Sequence, residues 1–157
     1  MSARLTPVNE RHRMSNSTPE ALPRGSSSIS SYHAHIYWSG PQERALALQL
    51  REWIAQRFGV ALGRVHDQPI GPHTQPMYQV AFAIDVFARL TPWLMLNRAG
   101  LSVLIHPNTG RARDDHLTHA LWLGAALPIR GDVLPNEPGT DDISAPVVNT
   151  TPDRPSE

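Results

Sequence analysis

Ser31-Tyr32-His33-Ala34-His35-Ile36-Tyr37-Trp38 alternates in chemical character from residue to residue. Laid out as a β-strand, it sends Ala34, Ile36 and Trp38 to one face and His33, His35 and Tyr37 to the other. One face belongs to a core and the other to chemistry. Imidazoles at i and i+2 sit roughly 6 to 7 Å apart at the backbone, within reach of one metal ion. The same pair fits two hydrogen-bonded polar residues equally well, and a metal needs a third ligand from elsewhere in the chain.

Downstream, Ser39-Gly40-Pro41 turns the chain, with Pro41 suited to a first helical position. The spacing of Leu46, Leu50, Trp53, Ile54 and Phe58 predicts a helix over 42–58, with Gly59 as its C-terminal cap. Residues 60–67 read as a short edge strand interrupted by Gly63. Pro69, Pro72 and Pro76 make 68–76 a stiff loop. Alternation returns over 77–84, with Tyr78, Val80, Phe82 and Ile84 on one face. Asp85 then caps a helix reaching Arg98, in which Pro92 should force a kink or a restart after Thr91, and Gly100 ends it. The last strand spans 101–106, dividing Leu101, Val103 and Ile105 from Ser102, Leu104 and His106. Pro107-Asn108-Thr109-Gly110 is a turn, and 114–123 a short helix or turn.

Strand, helix, strand, strand, helix, strand is the order of a ferredoxin-like α+β domain, an antiparallel sheet with two helices on one face. Aligning the apolar faces puts Ala34, Ile36, Val80, Phe82, Leu101, Val103 and Ile105 under the helices. The open face collects His33, His35, Tyr37, Gln79, Ser102 and His106. In that fold the fourth strand runs antiparallel beside the first, which brings His106 to His33 and supplies the third ligand. Neutral imidazoles with open coordination positions suit iron, zinc, copper or nickel. His73 in the stiff loop and His116, next to Asp114 and Asp115, are the candidates for proton transfer, with simple exposure as the alternative for each. His119 shares a helical face with His116, whereas His12 and His66 carry no role. Arg98 is the candidate for a substrate carboxylate, against the commoner reading of a helix-end cation. Tyr37 is the second candidate for contacting substrate.

Composition narrows the chemistry further. The 157 residues form one domain over 31–130, between a flexible arm over 1–30 and an acidic, Pro-rich flexible tail over 131–157. There is no cysteine, and all 14 basic residues other than histidine are arginine. Thiol nucleophiles, thiolate metal sites, iron–sulfur clusters, Schiff-base lysines and phosphate-loop lysines are therefore excluded. The arginines are dispersed and the net charge is +0, which argues against a nucleic-acid partner. With no apolar run for a signal peptide or a membrane span, the expectation is a soluble, cytoplasmic protein.

Four ordered strings, Tyr32-His33-Ala34-His35-Ile36-Tyr37, Gly71-Pro72-His73, Asn97-Arg98 leading into 100–107, and Asp115-His116 leading into Trp122-Leu123-Gly124, resemble the DOPA 4,5-dioxygenase family. The resemblance implies a non-haem Fe(II) enzyme that opens a catechol ring next to its hydroxyls using O2. It also implies a compact ferredoxin-like fold and a homodimer. The family's histidines fall on His33, His35, His73, His106 and His116. The reading that follows has Fe(II) on His33, His35 and His106, protons moved by His73 and His116, and substrate held by Arg98 and Tyr37. Sites of this kind commonly include a carboxylate. The open face offers none, so Asp114 or Asp115 joins from the last loop or the site is all histidine. The competing reading is a non-catalytic module that binds a metal or small ligand on the same face.

Overall fold

A computed structural model describes residues 22–135, 137–139 and 144–156. Most of the N-terminal arm, with His12, and part of the acidic tail lie outside the described residues.

The domain is a five-stranded sheet with two long helices against one face. In chain order the elements are β1 (Ser31–Tyr37), α1 (Gly40–Arg57), β2 (Ala61–Leu62), β3 (Met77–Phe82), α2 (Ile84–Asn97), β4 (Val103–Asn108), α3 (Ala112–Leu117) and β5 (Leu121–Leu123). The strand order β2-β3-β1-β4-β5 is antiparallel throughout, so β1 and β3 are central and β4 lies beside β1, the ferredoxin-like arrangement. Ala34, Ile36, Val80, Phe82, Leu101, Val103 and Ile105 are buried in one apolar cluster with Ala47, Leu50 and Ile54 of α1 and Val86, Leu90 and Leu94 of α2. The alternation read from the sequence thus places both helices on the expected side.

Several local expectations are corrected. Gly59 is not the α1 cap; extended Phe58 (φ −129°) ends the helix, its N–H donating to Ile54 O. Ala47, not the exposed Leu46, completes the α1 buried stripe. The strand expected over 60–67 shrinks to the two residues of β2, with His66 only bridged to Met77. Ile84 opens α2 and is exposed rather than closing β3. Pro92 does not interrupt α2, while Ala99 and Gly100 take the left-handed conformation that ends it (φ 54° and 82°).

The last strand runs on through Pro107 to Asn108 instead of turning at Pro107. Ser30 N–H donates to Asn108 O and Tyr37 N–H to Ser102 O, so even-numbered backbone groups of this segment face β1. The missing N–H of Pro107 therefore points away from β1, beyond the last β5 pair at Leu121 and Ile105, where no neighbour needs it.

The segment expected as short helix or turn divides into α3 and a fifth strand. The tail also departs from a solvated segment. Asn149 exchanges side-chain hydrogen bonds with Leu62 N and O at 2.8 and 2.9 Å, and Asn149 N–H donates to Val60 O. Thr150 Oγ1 accepts from Val60 N–H at 2.9 Å. Described tail residues thus cover the outer edge next to β2, where backbone groups would otherwise stand open.

Candidate metal centre

The histidine face is built by register. His33 lies directly opposite His106 in the β1–β4 pairing, and His35 lies two residues on. The loop before β3 delivers His73, whose backbone bridges Ile129 and whose flank is tied by Arg130 N–H to Pro72 O. The turn after β4 delivers His116 on α3. Asp115 holds that turn closed, its carboxylate accepting from Thr109 N–H at 2.9 Å and from Thr109 Oγ1–H at 2.6 Å.

Five imidazoles converge as a result. Ring centroids are 3.9 Å apart for His106 and His116, 4.2 Å for His35 and His73, and 5.2 Å for His33 and His106. Two overlapping triads, His33–His35–His106 and His35–His73–His116, each bring three ligand nitrogens within 4.8 Å of one another. His119 stays outside, its ring beside the exposed Arg24.

The hydrogen bonds around the rings decide which nitrogens are available. Carbonyl oxygens only accept, so His106 Nδ1–H donates to Pro107 O at 2.9 Å and His116 Nδ1–H to Ala112 O at 2.8 Å. Both rings keep an Nε2 lone pair, the usual consequence of such a partner on a metal-binding histidine. His35 Nε2 lies 3.1 Å from His106 Nε2. Two nitrogens at ~2.0–2.1 Å from one ion stand about that far apart. His35 Nδ1 is buried without a hydrogen-bond partner. Burial first, then the neighbouring imidazoles, pushes His35 and His106 well below the ordinary value of 6.5 and His73 down to about 4. These three rings are neutral at pH 7, the form that binds metal. The donor set fits a metal ion.

Tyr37 is placed as a partner of His73 rather than at the cavity wall: its hydroxyl is 2.7 Å from His73 Nδ1, and its ring stacks on Trp122 with centroids 5.7 Å apart. Burial raises the Tyr37 pKa, so the phenol keeps its proton. Arg98 is not brought to the histidines. Its Nη1 donates to Leu101 O at 2.9 Å in the α2–β4 turn, and its guanidinium packs against Gly124. Neither Asp114 nor Asp115 belongs to a ligand cluster among the described residues. A cavity of 260 Å³ opens on His33, His106 and His116, with Asn108, Asp115, Leu134, Pro135 and Gly139 completing its wall. The sequence reading missed Asn108, Leu134, Pro135 and Gly139. Asn108 sits in a string that reads as a turn, and Leu134 in one that reads as solvated tail.

The model of the Dopa 4,5-dioxygenase family matches residues 32–133, which include all five histidines. The chain belongs to that family. It is 33% identical over 124 residues to a protein named DOPA 4,5-dioxygenase from Amanita muscaria, covering 69% of this chain and 54% of that one. It is 35% identical over 119 residues to an uncharacterised 21.2 kDa protein of Botryotinia fuckeliana, covering 70% and 65%. The chain thus spans less than two thirds of either relative. A crystal structure from Nostoc punctiforme, provisionally assigned as a dioxygenase, superposes with a TM-score of 0.69 at 47% identity, covering 71% of this chain and 96% of that one. As in the sequence reading, this family member carries an α+β sheet with helices on one face. Among its described residues no helix is long and apolar enough to cross a membrane.

Proposed function

We propose that this face is the active site of an Fe(II) dioxygenase that opens a catechol ring in extradiol fashion. The observation that carries the reading is the convergence of neutral, buried imidazoles, with His35 Nε2 and His106 Nε2 3.1 Å apart, in a chain of this family. The reaction balances without an external reductant. Both atoms of O2 enter the product, the ring C–C bond beside the diol breaks, and a carboxylic acid and a carbonyl form at its ends.

His33, His35 and His106 would hold the metal, since His33 and His106 line the cavity and His35 lies behind them. When bound, Fe(II) supplies open coordination positions and a path for electrons between catechol and O2. His116 lines the same cavity, and with Nδ1–H engaged by Ala112 O its Nε2 is the atom that takes a catechol proton. Tyr37 O–H donating to His73 Nδ1 leaves the His73 proton on Nε2, so the neutral ring presents a hydrogen-bond donor to the bound substrate. The loop carrying His73, α3 and residues Leu134, Pro135 and Gly139 border the face.

A second reading rests on the second triad, in which His35, His73 and His116 hold the ion. There Tyr37 oxygen accepts from His73 Nδ1–H, and His33 and His106 handle protons. Metal content separates the two: His33→Gln loses metal and His73→Gln keeps it in the first, with the reverse in the second.

The test of function is oxygen uptake with a panel of catechols, DOPA and caffeate among them, on protein of verified iron content. Stoichiometric O2 consumption with a yellow ring-opened product is expected. No uptake across the panel ends the enzymatic reading, and a zinc-filled, inactive protein favours a non-catalytic module.

A further inference from the structure

The β1–β4 ladder that sets His33 opposite His106 has a further rung on the histidine face, Ser31 opposite Asn108. Both side chains are buried, and Asn108 lines the 260 Å³ cavity together with His33, His106 and His116. A buried amide needs hydrogen-bond partners. The backbone of Asn108 is fixed, because its O accepts from Ser30 N–H and from Ser30 Oγ–H, each at 2.9 Å. One end of its amide is fixed too, Nδ2–H donating to Ser31 Oγ at 2.9 Å. Oδ1 is the other end, and among the described residues no hydrogen bond engages it.

Side chains on one face of a strand repeat every second residue, so Asn108 stands about 6.6 Å along β4 from His106. The amide is thus one rung away from the histidines proposed to hold the metal. A catechol whose diol faces those histidines extends its ring and substituent along the cavity toward this rung. Gly110 and Ala112, small residues of the same lining, leave room for the substituent.

Resting on the ring-opening reading above, we infer that Asn108 reads the substituent of the catechol, its Oδ1 accepting a hydrogen bond from an O–H or N–H donor there. Ser31 is the positioning residue that holds the amide. A buried acceptor left empty costs free energy, so a substituent without a donor is used less well than one of the same length that carries it.

Hydroxyethylcatechol and ethylcatechol, each substituted para to one hydroxyl, differ by a single O–H and carry no charge, so they isolate the contact. With iron-loaded protein, kcat/KM for the hydroxyethyl compound should exceed that for the ethyl compound about ten-fold, and anaerobic calorimetry should give the same order of affinity. Asn108→Leu, close in volume, should bring the ratio to about one or below, and Ser31→Ala to an intermediate value. The ratio of two substrates on one preparation does not depend on how much of a variant is folded or metal-loaded. A wild-type ratio near one, or a ratio that Asn108→Leu leaves unchanged, overturns the inference, while turnover of both compounds keeps the oxygenase reading. Binding in the expected order that Asn108→Leu abolishes, without turnover of either compound, leaves the inference standing and removes the oxygenase reading. Binding of neither compound overturns both.

Discussion

Along β1, Ala34 and Ile36 enter the space under the helices while His33, His35 and Tyr37 enter the opposite side, and all five are buried. What differs is what buries them. On one side α1 and α2 supply apolar surface, and each fully buried aliphatic side chain contributes about 1.5–3 kcal/mol. On the other side a proline-bound loop, a six-residue helix and part of the C-terminal segment close over polar rings and leave a cavity. Equal burial therefore carries opposite meanings: stability is concentrated on the helix side, and binding chemistry on the side where ligand nitrogens of several imidazoles lie within 4.8 Å of one another.

That division breaks most visibly at His35. His35→Gln should abolish metal-dependent turnover, exceeding the ~10–100-fold typical of losing an outer partner, while thermal unfolding of the metal-free protein stays cooperative. Turnover within a few-fold of wild type would dissolve the distinction between the faces. One residue on, Ile36→Ala should lower stability by ~2–5 kcal/mol in denaturant titration, with metal per folded molecule unchanged. Loss of metal from that folded fraction would couple the faces.

Acid sharpens the comparison without mutation. His73 has a folded pKa of about 4 against an ordinary 6.5, so between these values the unfolded chain holds the extra proton. Stability of the metal-free protein is full above about 6.5 and falls as pH drops toward about 4, by up to ~1.4 kcal/mol per pH unit for each such histidine. His35 and His106 act in the same direction. A flat profile over this window, followed by unfolding midpoint against pH, would mean that the rings are not held neutral by burial. The smallest effect is expected at Tyr37. Tyr37→Phe keeps the stacking on Trp122 and removes the hydrogen bond to His73, so turnover should fall about ten-fold with stability within ~1 kcal/mol of wild type.

Alternation made the two faces legible in the sequence, because period 2 assigns whole sets of side chains at once. His106 opposite His33 followed from strand order alone and is found at that register. The five-histidine set was legible too, whereas the role of Tyr37 was not, since its partner arrives from a loop 36 residues away. β5 was hidden because three residues give no periodicity, and Leu121 and Trp122 also fit helical spacing. The hydrogen bond of Arg98 to Leu101 O was not legible, because a backbone carbonyl acceptor leaves no mark in sequence. Leu134 and Gly139 read as tail because their place beside the cavity depends on a chain path that leaves no periodicity in the sequence.

The most direct test of the account is an anaerobic Fe(II) titration of the wild-type protein beside His35→Gln, followed by metal analysis after desalting. The account predicts one tightly held ion per wild-type chain and none in the variant. Failure of the wild type to retain iron, or equal retention by both proteins, would contradict it.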